Sequence, residues 1–458
     1  MDSFTKDMTH GSPVKLILSF SFPIFLSQVF QQLYNTVDSL IVGRYLGDEA
    51  LAAVSSSGTL IFLIISFFVG VSAGAGVVIS RYFGAGDYEL VSKAIHTNLL
   101  VAILSGLLLT AVGVCFTPTF LRWMGTDPEV LPDAISYFRY IFMGVLASVL
   151  YNTCTGIMNA LGDSKRPLYY LIFSSLLNIA LDTLFIGGFG WDVWAAAVAT
   201  VLSQAASVVL CLLHLCKKGT IYQVSFRKLR IDGGMCREIF RNGIPSGIQN
   251  SVIGFANVIV QSNINSFGKV GMAAYGSYSK IEGFGFLPIT SFTMAITTFI
   301  SQNLGAGQYD RAKKGARFGI VSAVISAELI GVIIWLGAPW FIGWFTSTPE
   351  VIAVGVKEAR TITLFYCLLA YSHAISAVCR GAGRPGVSTA VMLSIWCVLR
   401  ITYITVIMHY VHEIRMIYWA YPITWSISSV IYAIYYHCSD WVHGFERGSA
   451  HRKKEVKL

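Results

Sequence analysis

The chain has 458 residues, 55% of them hydrophobic and only 12% charged, with a mean hydropathy of +0.63. A soluble domain is about a quarter charged, so this composition excludes an ordinary cytosolic enzyme, and a disordered chain needs the opposite balance. The net charge of +9 would point to nucleic acid only if the basic residues formed an aromatic-interleaved patch, and they do not.

Apolar runs of about 20 residues recur along the whole chain, which fits a helical membrane protein and not an outer-membrane barrel. The first run begins near Leu16 and passes signal-peptide length to about Gly43 without a small-residue cleavage pattern, so it reads as a retained helix. Runs and breakers together predict twelve helices, at 15–43, 51–80, 92–116, 133–160, 168–188, 193–216, 240–265, 272–302, 315–338, 350–379, 387–408 and 416–437. The expected fold is an all-α polytopic membrane protein with two pseudo-symmetric six-helix lobes. Its predicted parts are an N-terminal lobe (1–216), a loop (217–239), a C-terminal lobe (240–437) and a basic tail (438–458). The nine cysteines are scattered and none forms a CxxC pair, so neither a disulfide framework nor a zinc site is indicated.

Basic residues orient the helices. Of the 33 Lys and Arg, 24 fall in the termini and the loops on one side, and only Arg44, Arg122, Lys269 and Arg415 fall in the opposite loops. The positive-inside rule then places both termini and the 217–241 loop in the cytoplasm of a cell-membrane protein.

The chain is written twice. ISRYFGAGDY at 79–88 recurs as ISQNLGAGQY at 300–309, a shift of 221. The same shift aligns Pro118 with Pro339, Trp123 with Trp344, Pro128-Glu129-Val130 with Pro349-Glu350-Val351, Arg139 with Arg360 and Gly162 with Gly383. Pro23 and Pro245 align at a shift of 222. Six helices per half is an even number, so both halves enter the membrane in one direction and are expected to be related by an axis along the membrane normal. Such duplicated halves suit a secondary transporter.

Ionisable groups inside a bilayer are costly and mark function. By helical rise, Asp38 in helix one and Asp182 in helix five each lie about 9 Å below their outer ends, and Thr200 in helix six lies about 10 Å deep. Asn178 is one turn from Asp182 on the same face. Two carboxylates and two neutral oxygens at one level suit a shared proton or a small cation such as sodium. The alternative is an interhelical hydrogen-bond knot. Helix one also carries a stripe of Gln28, Gln31, Gln32 and Asn35, matched in helix seven by Gln249, Asn250, Asn257 and Gln261; such stripes line a wet cavity or glue helices together. In the second half, Glu282 lies about 16 Å into helix eight and Arg400 about 18 Å into helix eleven. Their matched depth predicts that they approach each other, as a structural pair or a substrate-recognition group. Lys280 faces another side of helix eight.

Catalytic motifs fail. GAGD at 84–87 resembles the GxGD of intramembrane aspartyl proteases, but its repeat copy reads GAGQ and the glycines suit a tight turn. His412-Glu413 lacks the second histidine of HExxH, and there is no P-loop. No cofactor is expected.

The twelve helices, the repeated GAG loops at 84–86 and 305–307, PIFLSQVFQQLYNTVDSLIVG at 23–43 and LNIALDTLFI at 177–186 resemble the MATE (multidrug and toxic compound extrusion) family, from about residue 12 to 437. The resemblance implies two lobes around a V-shaped cavity and export of organic, often cationic or amphipathic, compounds against an inward flow of protons or sodium. Asp38 matches the family's helix-one aspartate, and Asn178, Asp182 and Thr200 match its first-lobe cation site. One branch has further coupling acids in helices seven and ten. Here the core of helix seven has none, and helix ten offers His373, with Glu358 near its outer end. Implied partners are a small-molecule substrate and the lipid bilayer, with no nucleic acid, and the chain is expected to act as a monomer. The alternative is a lipid-linked oligosaccharide or polysaccharide flippase, which needs a strongly cationic cavity; only Lys280 and Arg400 are candidates. A channel or an intramembrane enzyme stands further off.

Overall fold

The computed structural model describes residues 6–123 and 131–445. The Pro128-Glu129-Val130 copy of the repeat and the basic tail from 446 onward lie outside them, as do the side chains of 48–64 and of Trp123. The described residues form twelve helical spans. These are α1 (Pro13–Leu46), α2 (Asp48–Gly84), α3 (Tyr88–Trp123), α4 (Leu131–Met143 and Val145–Ala160), α5 (Lys165–Gly188), α6 (Trp194–Leu215) and α7 (Gly233–Asn265). They continue as α8 (Gly268–Gly305), α9 (Tyr309–Gly343), α10 (Pro349–Gly381), α11 (Pro385–Tyr410) and α12 (Ile414–Cys438).

Among the described residues, nine of these spans are long and apolar enough to cross a membrane, and α4 makes a tenth. The two that fall short, α7 and α12, hold the polar residues of their sequences within the span: Gln249, Asn250, Asn257 and Gln261 in one, and a run of Tyr, Ser and Trp in the other. Polar groups within a span lower its mean hydropathy without taking the helix out of the membrane. Breaks in the helices have local causes. The α4 pair bends by 46° at Gly144, where a Cβ would meet Val201 at 2.1 Å. In α10, a 3₁₀ turn at Thr363–Phe365 interrupts the helix. In α5 and α11 the helix widens into π-helical stretches at Thr183–Gly188 and Met392–Leu399.

The chain forms two compact units. One comprises the segment up to Asp7 with Leu26–Gly247, and the other comprises Met8–Phe25 with Ile248 onward. Each division falls two residues after a helix proline, Pro23 in α1 and Pro245 in α7. A proline inside a helix removes one backbone hydrogen bond, so the helix is weakest there. The leading part of α1 packs in the core of the second unit, through Ile17, Phe20 and Ile24. The leading part of α7 packs in the first unit, through Met235 and Ile239. That contact brings backbones together: a Cβ on Gly70 or Gly74 would lie 2.5 or 2.3 Å from the Cα of Gly247 or Gly243. It is the small-residue packing that lets membrane helices approach closely.

The repeat is visible in hydrogen bonds. Both GAG turns carry a left-handed glycine, Gly86 (φ 73°) and Gly307 (φ 70°). In each, the turn's first amide bonds back four residues, Ala85 to Arg81 and Ala306 to Gln302, both at 3.0 Å. The residues just before the turns also hold matched partners. Arg81 pairs with Glu238 at 2.9 Å and the Tyr82 hydroxyl donates to the same carboxylate at 2.7 Å. At the shifted positions, Gln302 accepts the Met8 N–H at 3.0 Å and Asn303 donates to the Met8 carbonyl at 3.1 Å. Asp87 accepts the Leu90 N–H at 3.1 Å and so caps α3, which explains that acid without any catalytic role.

Candidate functional site

The first unit gathers its predicted residues into one cluster. α1 supplies Asp38, α5 supplies Asn178 and Asp182, and α6 supplies Thr200. The Asn178 side-chain N–H donates to the Thr200 hydroxyl at 3.3 Å. The carboxyl groups of Asp38 and Asp182 come within hydrogen-bonding reach of each other. Asn178 and Asp182 are buried. Apart from one another and Asn178, one oxygen of Asp38, the amide oxygen of Asn178 and both oxygens of Asp182 meet no further hydrogen-bond partner among the described residues.

Three features of the chain produce this arrangement. The spacing of four between Asn178 and Asp182 stacks them on one face. The π-helical stretch begins immediately after Asp182; such local widening is frequent at functional sites. Finally, a cluster of apolar side chains lies one turn beyond each polar residue, with Val42 after Asp38, Ile186 after Asp182 and Ala196 before Thr200. That collar removes water from the acids at the Arg44 and Gly188 ends of the helices.

Two tyrosines join the cluster that the helical-depth argument did not find. Tyr34, one turn before Asp38, lies against Thr200 and faces both acids. Tyr137 of α4 faces Asp38, Asp182 and Tyr34. The i, i+4 spacing of Tyr34 and Asp38 was a usable signal. Nothing in the local sequence marks Tyr137.

The other candidates disperse. On α1, Gln28 and Gln32 are half-buried and Asn35 is exposed. On α7, Asn257 is exposed, Gln261 donates to Asn265 at 2.8 Å, and Gln249 is buried and accepts from Ser388 at 3.0 Å. Lys280 is exposed and stands over the Phe345 ring at 5.4 Å.

In the second unit, Arg400 is buried, and it directly follows the π-helical stretch of α11. Its guanidinium donates twice to the Thr424 hydroxyl, at 3.3 and 3.0 Å, and lies 4.5 Å from the Tyr421 ring centre and 5.4 Å from that of Trp396. Glu282 interacts electrostatically with Arg400, yet no direct ion pair closes within 4.0 Å. The expected approach of the two charges is therefore a long-range one, because Thr424 and the two rings occupy the guanidinium.

Glu358 lies nine residues into α10 from the Pro349 end and is fully buried, so its place toward that end does not expose it. A second acid, Glu328 of α9, accepts the Cys367 N–H at 2.9 Å and so caps the segment that restarts α10 after its 3₁₀ turn. A carboxylate at a helix N-terminus is well placed, which accounts for this intramembrane acid. His373 packs edge-on to Phe286 and Trp396, with ring centres 5.4 and 5.1 Å away.

Two units of membrane-crossing helices, related by a sequence repeat and holding buried acids without counter-ions, define a membrane transporter. The chain belongs to the MatE family, whose model matches twice, at residues 23–184 and 245–406. It is similar to a Bacillus subtilis protein named "Probable multidrug resistance protein YoeA", 30% identical over 91% of this chain and 92% of that one. It is also similar to the "Multidrug export protein MepA" of Staphylococcus aureus, 23% identical over 72% of each. Among solved structures, it matches an outward-facing conformation of a multidrug resistance MATE family transporter, with a TM-score of 0.88, 25% identity and coverage of 99% of both chains.

Proposed function

We propose that this chain is a cell-membrane antiporter that exports organic, often cationic or amphipathic, compounds and takes up a proton or a sodium ion at Asp38, Asn178, Asp182 and Thr200. Both termini and the 217–241 loop are cytoplasmic in this reading, because 24 of the loop and tail Lys and Arg share that side. The observation that carries it is the contact of Asp38 with Asp182, two acids that, among the described residues, meet no basic side chain in the cluster. Two facing buried carboxylates repel each other and lose hydration, a penalty of several kcal/mol that one bound cation offsets. Entry of one ion from outside reduces the pair from two negative charges to one, relieves their repulsion and lets α1 move against α5 and α6. Ion release toward the cytoplasm restores the repulsion. The two charge states favour two conformations, and exchange of compound for ion follows.

The flippase alternative gains no support, because Lys280 is turned onto Phe345 and Arg400 is enclosed by Thr424 and aromatic rings, so they form no pyrophosphate clamp. The two relatives are named for multidrug resistance and multidrug export, which supports drug-like cargo.

The test uses the purified chain in liposomes loaded with a fluorescent cationic dye, under separate proton and sodium gradients. Export should follow one gradient and stop in Asp38→Asn and Asp182→Asn, each still inserted. Wild-type gradient dependence in both variants would sink the reading.

A further inference from the structure

The chain between α6 and α7 is not a slack connection. Tyr222 and Val224 are buried in the first unit's core beside Val91, Ala94 and Ile95 of α3, and the Val224 N–H donates to the Leu215 carbonyl at 2.8 Å. Two adjacent residues of α3 then pin the next stretch at both ends. The Ser225 N–H donates to His96 Nε2 at 3.0 Å. The Thr97 hydroxyl donates to the Arg230 carbonyl at 3.4 Å and accepts the Asp232 N–H at 3.3 Å. The His96 ring is itself held, with Nδ1 2.7 Å from the Ser92 carbonyl. A carbonyl only accepts, so Nδ1 carries the proton and Nε2 is left to accept from Ser225.

Between these pins, residues 226–230 form a fixed bulge. Leu229 packs inward against the core, whereas Phe226 is 65% exposed. Arg227, Lys228 and Arg230 are exposed as well. Among the described residues, Arg227 and Lys228 form no ion pair. Arg230 faces Glu89, which is already closed on Lys93 at 2.6 Å. The sequence holds no acid from Lys217 to Ile231, so nothing within the segment offsets its charge.

The pins also set the depth of the bulge. α3 has 36 residues, which makes it about 54 Å long against a hydrocarbon core of about 30 Å. About 12 Å, or roughly eight residues, then projects at each end. Counting from Tyr88, that distance reaches His96, and the apolar run of α3 begins just beyond it, at Leu99. The bulge therefore hangs where headgroups meet acyl chains and not in open solvent. An exposed aromatic ring among unpaired cations at that level fits a membrane surface with negative headgroups.

We propose that the 226–230 bulge is a clasp for anionic phospholipid, in which Phe226 enters the acyl-chain boundary and Arg227, Lys228 and Arg230 hold the phosphodiester. The leaflet is the cytoplasmic one, a point that rests on the placement of the 217–241 loop proposed above. His96 and Thr97 fix the bulge before lipid arrives, so binding carries little ordering cost. The clasp moors α3 to that leaflet and gives the first unit a set depth in the bilayer.

The experiment is native mass spectrometry of the full chain in detergent, titrated with phosphatidylglycerol and, separately, with phosphatidylcholine of the same acyl chains. The wild-type chain should bind phosphatidylglycerol the more tightly. Arg227→Gln/Lys228→Gln should weaken that binding about thirtyfold, the effect of two basic residues beside an anionic surface, and leave phosphatidylcholine binding as it was. Phe226→Ser should weaken the binding of both lipids. Thr97→Val removes a pin and no charge, and should also weaken phosphatidylglycerol binding. Lys313→Gln/Lys314→Gln, an equal loss of exposed charge near the start of α9, should leave it unchanged. Equal losses in the two double variants would mean that these bases only orient the chain, and would overturn the proposal. Wild-type binding in Arg227→Gln/Lys228→Gln, or displacement of the lipid by soluble glycerol phosphate, would overturn it too. The assay uses no gradient and is blind to sidedness, so its failure is distinguishable from failure of the antiport or topology readings.

Discussion

The two halves of this chain share a fold plan and differ in where they keep charge. The family matches begin and end 222 residues apart. Counted back from the match ends, one residue off the 221 shift of the GAG loops, Asn178 falls opposite Arg400 and Asp182 opposite Ile404; counted from the match beginnings, Asp38 falls opposite Val260. Both aliphatic counterparts are fully buried in the second unit's core. Where the first unit has two acids in contact, the second therefore has packed hydrocarbon, with an arginine in place of the amide. The pairing of the amide survives the change: Asn178 donates to a threonine on the next helix, and so does Arg400. The second unit brings its acids in from other helices, Glu282 on α8 and Glu358 on α10. The helix-to-helix bond to a threonine recurs in both units, the π-helical stretches fall at different places, before Arg400 but after Asp182, and the charges are redistributed.

The largest expected effect tests whether the first unit's acids act as one group. Asp38→Asn and Asp182→Asn should each abolish gradient-driven export, and the double variant should be no worse than either. Residues that serve one bound ion are non-additive, whereas distant independent sites add. Initial export rates of the three variants at equal membrane abundance measure this. Residual export in each single variant that falls further in the double variant would separate the acids.

The next effect concerns stability in the second unit. Arg400→Met should lower stability by about 3 kcal/mol, the upper scale of losing hydrogen bonds made by a buried charged group. It removes two bonds to Thr424 and leaves Glu282 without the cation that faces it. Asn178→Ala, at the matched position, loses one neutral hydrogen bond and should lose only about 1 kcal/mol. Unfolding midpoints of the purified chains compare the two directly, and equal losses would refute the asymmetry.

Much of this layout was legible in the sequence, for identifiable reasons. The helices follow from apolar runs and breakers, the halves from a shared register, and the first cluster from depth along three helices. Those inferences need only a rise per residue and a face. The rest depends on which helix lies beside which. Glu358 reads as near the outer end of helix ten, and its burial among Tyr278, Tyr366 and Tyr418 of α8, α10 and α12 follows from packing that no linear pattern joins. Tyr137 enters the acid cluster by tertiary packing alone. Glu282 and Arg400 share a depth, and depth says nothing about the threonine and the two rings that take up the guanidinium. The breaks at Gly144 and Thr363–Phe365 are equally invisible, because neither contains a proline.

A smaller effect lies in the packing of α7. Gly74→Ala places a methyl 2.3 Å from the Cα of Gly243, where the contact is backbone and cannot rotate away. Overpacking of this kind costs about 1–3 kcal/mol. Gly276→Ala on α8, with nothing within 4 Å of its Cβ position, should be neutral or slightly stabilising, since alanine favours helix. Thermal midpoints that rank the two in the reverse order would show that α2 and α7 do not pack as described.

The smallest expected effect separates turn from chemistry. Asp87 and Gln308 occupy matched places after the two GAG turns. Asp87 caps α3 through the Leu90 N–H, and among the described residues no such side-chain bond is made by Gln308. Loss of a cap costs about 1 kcal/mol, so Asp87→Ala should lower the unfolding midpoint slightly and leave the export rate at wild type. Gln308→Ala should do even less. Gln308→Asp is the sharper variant, because it supplies the missing cap and should raise the midpoint by a similar small step. Were Asp87 a catalytic acid of the GxGD type, Asp87→Ala would abolish activity while leaving stability intact. The two readings thus predict opposite pairs of outcomes from the same two measurements.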